Sequence, residues 1–255
     1  MSKIVQKCQL VAALIPLVSP ALDSLSQTVV INEIMYHSAS GKDEENFVEL
    51  YNPGSQDALL DGWQFTKGIQ YTFPNIVVPP GGFLVVAENE KVFRTKYPEV
   101  TNVSGNWTGT LSHSGEIIEL RDRNETTVSQ VQFGTEGDWA RRTRGPIDHG
   151  HRGWTWRSGH DGGGKSIELV DAGLPVAYGQ NWMASLQPGG TPGRSNSVVS
   201  QSSAAIILDV VHSPAVPKST NEILFTARIV SRLAASNRVF LKYRVDRSPK
   251  VPFET

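Results

Sequence analysis

Residues 46–87 read NFVELYNPGSQDALLDGWQFTKGIQYTFPNIVVPPGGFLVVA, and the fold class turns on them. In 46–51, Phe47 and Glu49 fall on one side and Val48 and Leu50 on the other, which is the two-residue period of a strand. Asn52-Pro53-Gly54 then closes that strand as a turn. Residues 59–65 read as one strand with Asp61-Gly62 in its middle, and Trp63 and Phe65 share a face. A further strand, 69–73, stops at Pro74. Pro79-Pro80-Gly81-Gly82 turns the chain into 83–87, a continuous apolar run that suits a strand buried on both faces. Short strands joined directly by turn residues, with no helices between them, point to an antiparallel sheet rather than a doubly wound α/β fold.

The same reading extends outward. Residues 28–35 (TVVINEIM), 116–121, 127–133 and 165–170 are further strands, the middle two joined as a hairpin through polar 122–125. Only 88–97 carries helical spacing, with Val92, Phe93 and Tyr97 able to share a face and Pro98 as a stop. The expected class is all-β: an immunoglobulin-like antiparallel β-sandwich, plus a partial second β-sandwich. Residues 134–164 break the pattern. They are rich in Gly, Arg, Trp and His, show no clear period, and read as a long surface excursion. Residues 198–205 read as a Ser-rich linker. Strands at 206–211, 223–230 and 239–245 then open an immunoglobulin- or fibronectin-like domain. Such a domain takes about 100 residues, so 206–255 is expected to be incomplete and the chain a piece of a longer multidomain protein.

Composition bounds the function. The 255 residues carry 24 Lys+Arg against 25 Asp+Glu, a net charge of −1, which argues against a whole-surface nucleic-acid binder. The single cysteine excludes an internal disulfide framework and a thiolate-rich zinc site. Residues 1–26 run basic, then apolar, then small, the order of a secretory signal, so the chain is expected to be secreted or at the cell surface.

The runs VVINEIMYHSAS, ENFVELYNPGSQDALLDGWQF, YTFPNIVVPPGGFLVVAEN, LSHSGEIIELRD, GKSIELVD, GQNWMAS and GGTPGRSNS together resemble a lamin tail domain of the bacterial secreted kind, over about residues 28–197. The resemblance implies an immunoglobulin-like sandwich with no catalytic motif and no cofactor. It also implies neighbours on the full-length chain, either further β-sandwich modules or hydrolase-like domains. In animals the similar domain binds protein partners and, less specifically, DNA. Domain limits follow as a signal over 1–26, the sandwich over 27–197 with its excursion at 134–164, the linker at 198–205 and the incomplete domain at 206–255.

Four groups of residues invite chemistry. Trp139, Arg141, Arg142, Arg144, Arg152, Trp154, Trp156 and Arg157 pair guanidinium forks with aromatic faces, a set that suits sulfates, phosphates and sugar acids. His149, His151 and His160, with Asp148 and Asp161, are the densest metal-capable set. Residues 159–166 satisfy G-x-x-x-x-G-K-[ST], but strand alternation follows Lys165 where a phosphate loop needs a helix, so the stretch reads as a turn. Asp43, Glu44 and Glu45, with Glu33 and Glu49 nearby in sequence, lack calcium-loop spacing and read as a solvated acidic loop.

The favoured function is a non-catalytic exported module for adhesion, scaffolding or partner recognition. Its expected partner is a protein or an anionic polysaccharide, with DNA behind them. The alternative is a metal-assisted hydrolase centred on 134–164 and using the three histidines.

Overall fold

A computed structural model describes residues 29–149, 151–218, 221–232 and 240–241. The expected signal at 1–26 lies outside the described residues, as does all but Phe240 and Leu241 of the strand expected at 239–245. The chain divides into two compact units between Ser203 and Ala204.

The strands of the first unit, in chain order, are β1 (Val30–Met35), β2 (Phe47–Tyr51), β3 (Ala58–Leu59), β4 (Gln64–Lys67), β5 (Tyr71–Thr72), β6 (Val77–Val78) and β7 (Phe83–Ala87). One helix, α1 (Glu90–Lys96), precedes β8 (Val103–Gly105), β9 (Ile117–Arg121) and β10 (Thr127–Gln132). Then come β11 (Arg141–Asp148), β12 (His151–Arg157), β13 (Ile167–Leu169) and β14 (Trp182–Ala184). A six-stranded sheet runs β14-β13-β1-β2-β7-β8 and a four-stranded sheet runs β10-β9-β4-β5. All neighbours in the two sheets are antiparallel except β7 and β8.

Alternation along the strands builds the core. Ile34, Val48, Leu50, Leu84, Val86, Ile167 and Leu169 of the large sheet join one apolar cluster with Phe65, Ile118, Leu120 and Val131 of the small one. Trp63, Phe73 and Trp182 belong to the same cluster, so the tryptophans near the strands are sandwich filling. Residues one position along each strand point the other way. Met35, Phe47, Val85 and Ala87 form a second cluster with Phe93 of α1 and Val100. Helix α1 therefore covers part of the large sheet's outer face. Asn89 starts it, its side-chain oxygen accepting from the Val92 N–H at 3.1 Å.

The expected single strand over 59–65 is two strands. Gly62 has φ +75°, a left-handed backbone that ends β3 before β4 can begin. The excursion at 134–164 is not irregular, since β11 and β12 pair within it as a two-stranded ribbon. Strands β8 and β14 were not anticipated either. In the second unit, β15 (Ile206–Ser213) and β16 (Leu224–Val230) form one antiparallel hairpin, where the two strands expected at 206–211 and 223–230 fall.

Candidate functional site

The ribbon gathers most of the expected Arg/Trp set. Arg141 pairs with Arg157, Arg142 with Trp156, Thr143 with Thr155 and Arg144 with Trp154. Partners directly opposite in an antiparallel pair share a face. One face thus carries Arg142, Arg144, Trp154 and Trp156, and the other carries Arg141, Thr143, Thr155 and Arg157. A register shift between Arg144 and Ile147 accommodates Gly145 and Pro146, and Ile147 then faces Arg152. The guanidinium carbons of Arg142 and Arg144 lie 4.5 and 4.7 Å from the Trp154 ring centroid. Each such contact is worth about 0.5–1 kcal/mol when exposed, enough to hold a fork in place without burying it. Trp154 is 48% exposed and Trp156 36%. Asp148 is the only acid on the ribbon's strands, and His149 at the turn engages it at 2.7 Å.

Trp139 is not part of this surface. It ends a short 3-10 turn, Gly137–Trp139, and its ring packs against Trp182 with centroids 5.9 Å apart. Nor are the three expected metal histidines gathered. His149 is exposed at the ribbon turn and His151 begins β12. His160 is fully buried in the body of the sandwich. Its Nδ1 meets the Tyr36 hydroxyl at 2.7 Å and its Nε2 meets the Trp139 carbonyl at 2.8 Å, so both ring nitrogens are engaged. Burial holds its pKa below the usual histidine value. Among the described residues no group of three or more His, Cys, Asp or Glu side chains could hold a metal. The histidines that do meet are His37 and His113, stacked with centroids 3.9 Å apart. Asp161 engages the first at 2.7 Å and Asp43 the second at 3.1 Å.

The stretch 159–166 is a turn, as its sequence context implied. Lys165 donates to the Leu186 carbonyl at 3.1 Å, and Ser166 is buried just ahead of β13.

The residues that sequence reasoning missed are three glutamates. By sequence Glu33 and Glu49 fall on strands beside the acidic turn at 43–45, with no role of their own. Both are fully buried, and so is Glu168. The register sets Glu33 opposite Glu168 on one side and opposite Glu49 on the other, so three carboxylates form a row across β13, β1 and β2. They lie on the large sheet's outer face, beside the apolar patch that α1 covers. A strap, residues 189–198, closes over them. Thr191 donates its backbone N–H to Glu33 at 2.8 Å and its hydroxyl to Glu168 at 2.8 Å. Glu49 accepts from the Gly193 N–H and from Asn32 Nδ2, and Glu168 accepts from the Ser197 hydroxyl at 2.7 Å and the Val198 N–H at 3.2 Å. Asn196, also buried, donates to the carbonyls of Asn32 and Leu169.

Among the described residues no cation pairs with any of the three. Burial, reinforced by the neighbouring Glu168, pushes the Glu33 carboxyl up to about 8 against the Thr191 donors. Glu49 is raised well above the ordinary carboxylate range by burial and then by the Glu33 charge. The glutamates of INEIM, FVELY and SIELV recur at matching strand positions, which was a signal, but in a half-buried strand a lone carboxylate ordinarily marks the solvent face.

Two facing antiparallel sheets with this core make the first unit an immunoglobulin-like β-sandwich. Residues 23–135 match the family model described as Lamin Tail Domain, and this segment is a lamin tail domain. The matched span ends before the ribbon and before the strap. No curated protein matches the chain. Lamin tail domains are in general non-enzymatic.

Proposed function

We propose that the chain is a non-catalytic, exported recognition module that grips an anionic polysaccharide through the β11–β12 ribbon. One observation carries the reading: Arg142 and Arg144 rest on Trp154 in an otherwise solvated ribbon that offers five arginines and a single carboxylate. Stacking orients the forks toward solvent, where they meet sulfates or carboxylates in pairs. Trp156, partly open, adds a flat apolar surface for a sugar ring. Export rests on the basic, apolar, small-residue order of 1–26, and it favours polysaccharide over DNA as the polyanion met. Adhesion or scaffolding on a surface follows from such a grip.

The test is retention on an immobilised sulfated polysaccharide at rising salt. Replacing Arg141, Arg142 and Arg144 together with alanine is expected to weaken binding about tenfold or more and to leave thermal unfolding in place. Unchanged retention in the triple variant removes the ribbon from the function. Tighter retention on duplex DNA than on polysaccharide of matched charge reassigns the partner.

A further inference from the structure

The carboxylate row presents a physical problem that the recognition reading does not use. Three carboxylates stand side by side in register, all fully buried, with backbone N–H groups, hydroxyls and amides as their only close donors among the described residues. Like charges this near, taken out of water with no cation, do not all ionise together. The donors also come largely from one segment. Thr191, Gly193, Ser197 and Val198 belong to the strap, and it is the strap that excludes water from the row.

The other charged groups around the row do not neutralise it. Tyr97, at the end of α1, donates its hydroxyl to the Gly189 carbonyl at 2.8 Å and lies in the fields of Glu33, Glu45 and Glu99. Arg194, on the strap itself, is exposed. Strands β1, β2 and β13 contribute the three glutamates, and β7 contributes apolar Val85 opposite Glu49.

We infer that residues 189–198 are a proton-dependent latch: the strap closes on the sheet while the carboxyl of Glu33 or Glu49 retains a proton, and loss of that proton releases it. The sign follows from linkage. With the strap open, the row is hydrated and Glu33 ionises near the ordinary glutamate value of about 4.5; with it closed, the proton leaves only near 8. Closure is therefore fully favoured below about pH 4.5 and weakens as pH rises through about 8. Over that window the open fraction grows by up to about tenfold per pH unit, and above it the opening levels off.

Amide hydrogen exchange on the full chain between pH 5 and 9, corrected for intrinsic rates, tests this. Protection at Thr191, Gly193 and Val198 is expected to fall about tenfold per unit up to about pH 8, while protection at Val48, Leu50 and Val86 in the sheet holds. Glu33→Gln removes the first ionisation without changing shape much, and is expected to bring strap protection at pH 8 back to within a few-fold of its pH 5 value. Should that variant fail to fold, carboxyl-carbon spectra of wild-type protein labelled in glutamate decide. A buried carboxyl titrating between about pH 7 and 9, in step with the strap amides, supports the latch. Strap protection that is flat over pH 5–8, strap and sheet amides falling together, or no glutamate titrating above pH 7 would each overturn it.

Discussion

Glu119 and Glu33 are both closed off from solvent, Glu33 deep under the strap and Glu119 near the surface of its sheet, and they are oppositely held. Glu119, on β9 of the small sheet, accepts from Thr66 at 2.8 Å, Lys67 at 3.0 Å and Arg121 at 2.8 Å. Burial alone would raise its pKa, yet those partners bring it down to about 2. Glu33, on β1 of the large sheet, has only neutral donors and two carboxylate neighbours, and stands near 8. Both glutamates point away from the shared core. What separates them is depth and cover. Glu119 is met by the hydroxyls of Thr66 and Thr127 and by Lys67 and Arg121, two partly exposed cations whose stems lie along the sheet. The row around Glu33 is roofed by the strap, whose backbone N–H groups and hydroxyls supply hydrogen bonds and no charge. Burial sets the size of the penalty on a carboxylate, and the chemistry of the cover decides whether the group meets it by pairing or by keeping a proton.

The most damaging way to break the contrast is at the roof. Gly190 has φ +72°, and a Cβ there would overlap Glu33 Oε1 and crowd Ser166. Gly190→Ala is expected to cost about 3–4 kcal/mol in urea unfolding, from left-handed backbone strain and overpacking together. A cost below about 1 kcal/mol would mean that the strap is not tightly seated.

Next in size is the paired site. Glu119→Gln leaves Lys67 and Arg121 facing a neutral amide. Because both cations are partly solvated, the expected loss at pH 7 is about 1–2 kcal/mol. The pH profile sharpens the comparison. A carboxylate held near 2 contributes stability that is present above about pH 4.5 and is lost as pH falls through 2. The Glu119→Gln variant should therefore lose the acid limb of the stability curve and keep the decline between about pH 5 and 8 that belongs to the Glu33 row. If the variant changes the alkaline limb instead, the two sites are not independent.

The smallest effect is expected where neither device operates. Among the described residues Lys165 donates only to the Leu186 carbonyl, so Lys165→Ala should shift stability by no more than about 0.5 kcal/mol and leave nucleotide affinity undetectable by calorimetry with ATP. Micromolar ATP binding that vanishes in the variant would overturn the reading of 159–166 as a turn.

Much of the sandwich was legible because its strands carry local marks, even though the large sheet is buried on both faces. Alternation in FVELY, the apolar FLVVA and the β-branched VVINEIM each mark a strand without reference to any other part of the chain. The ribbon escaped because neither of its faces is buried, so Arg, Thr and Gly occupy both and no apolar period survives. Strand β14 escaped because only Trp182 of its three residues is buried, and three residues cannot display a period. The expected histidine site dissolved for a related reason. Nearness along the chain placed His160 with His149, whereas folding turned His160 inward onto Tyr36.

The sequence by itself determined the all-β class, the turns that separate the strands and which apolar residues share a face, because those depend on backbone sterics and a local two-residue period. Tertiary structure alone decided that the opposite face of the large sheet is also covered, and by what. The bond from Thr191 to Glu33 spans 158 positions, and that from Gly193 to Glu49 spans 144. A glutamate in a strand carries no mark of whether water, a lysine or a distant loop of backbone will stand over it. Only the folded chain brings the cover, and with it the choice between an ionised carboxylate and one that keeps its proton.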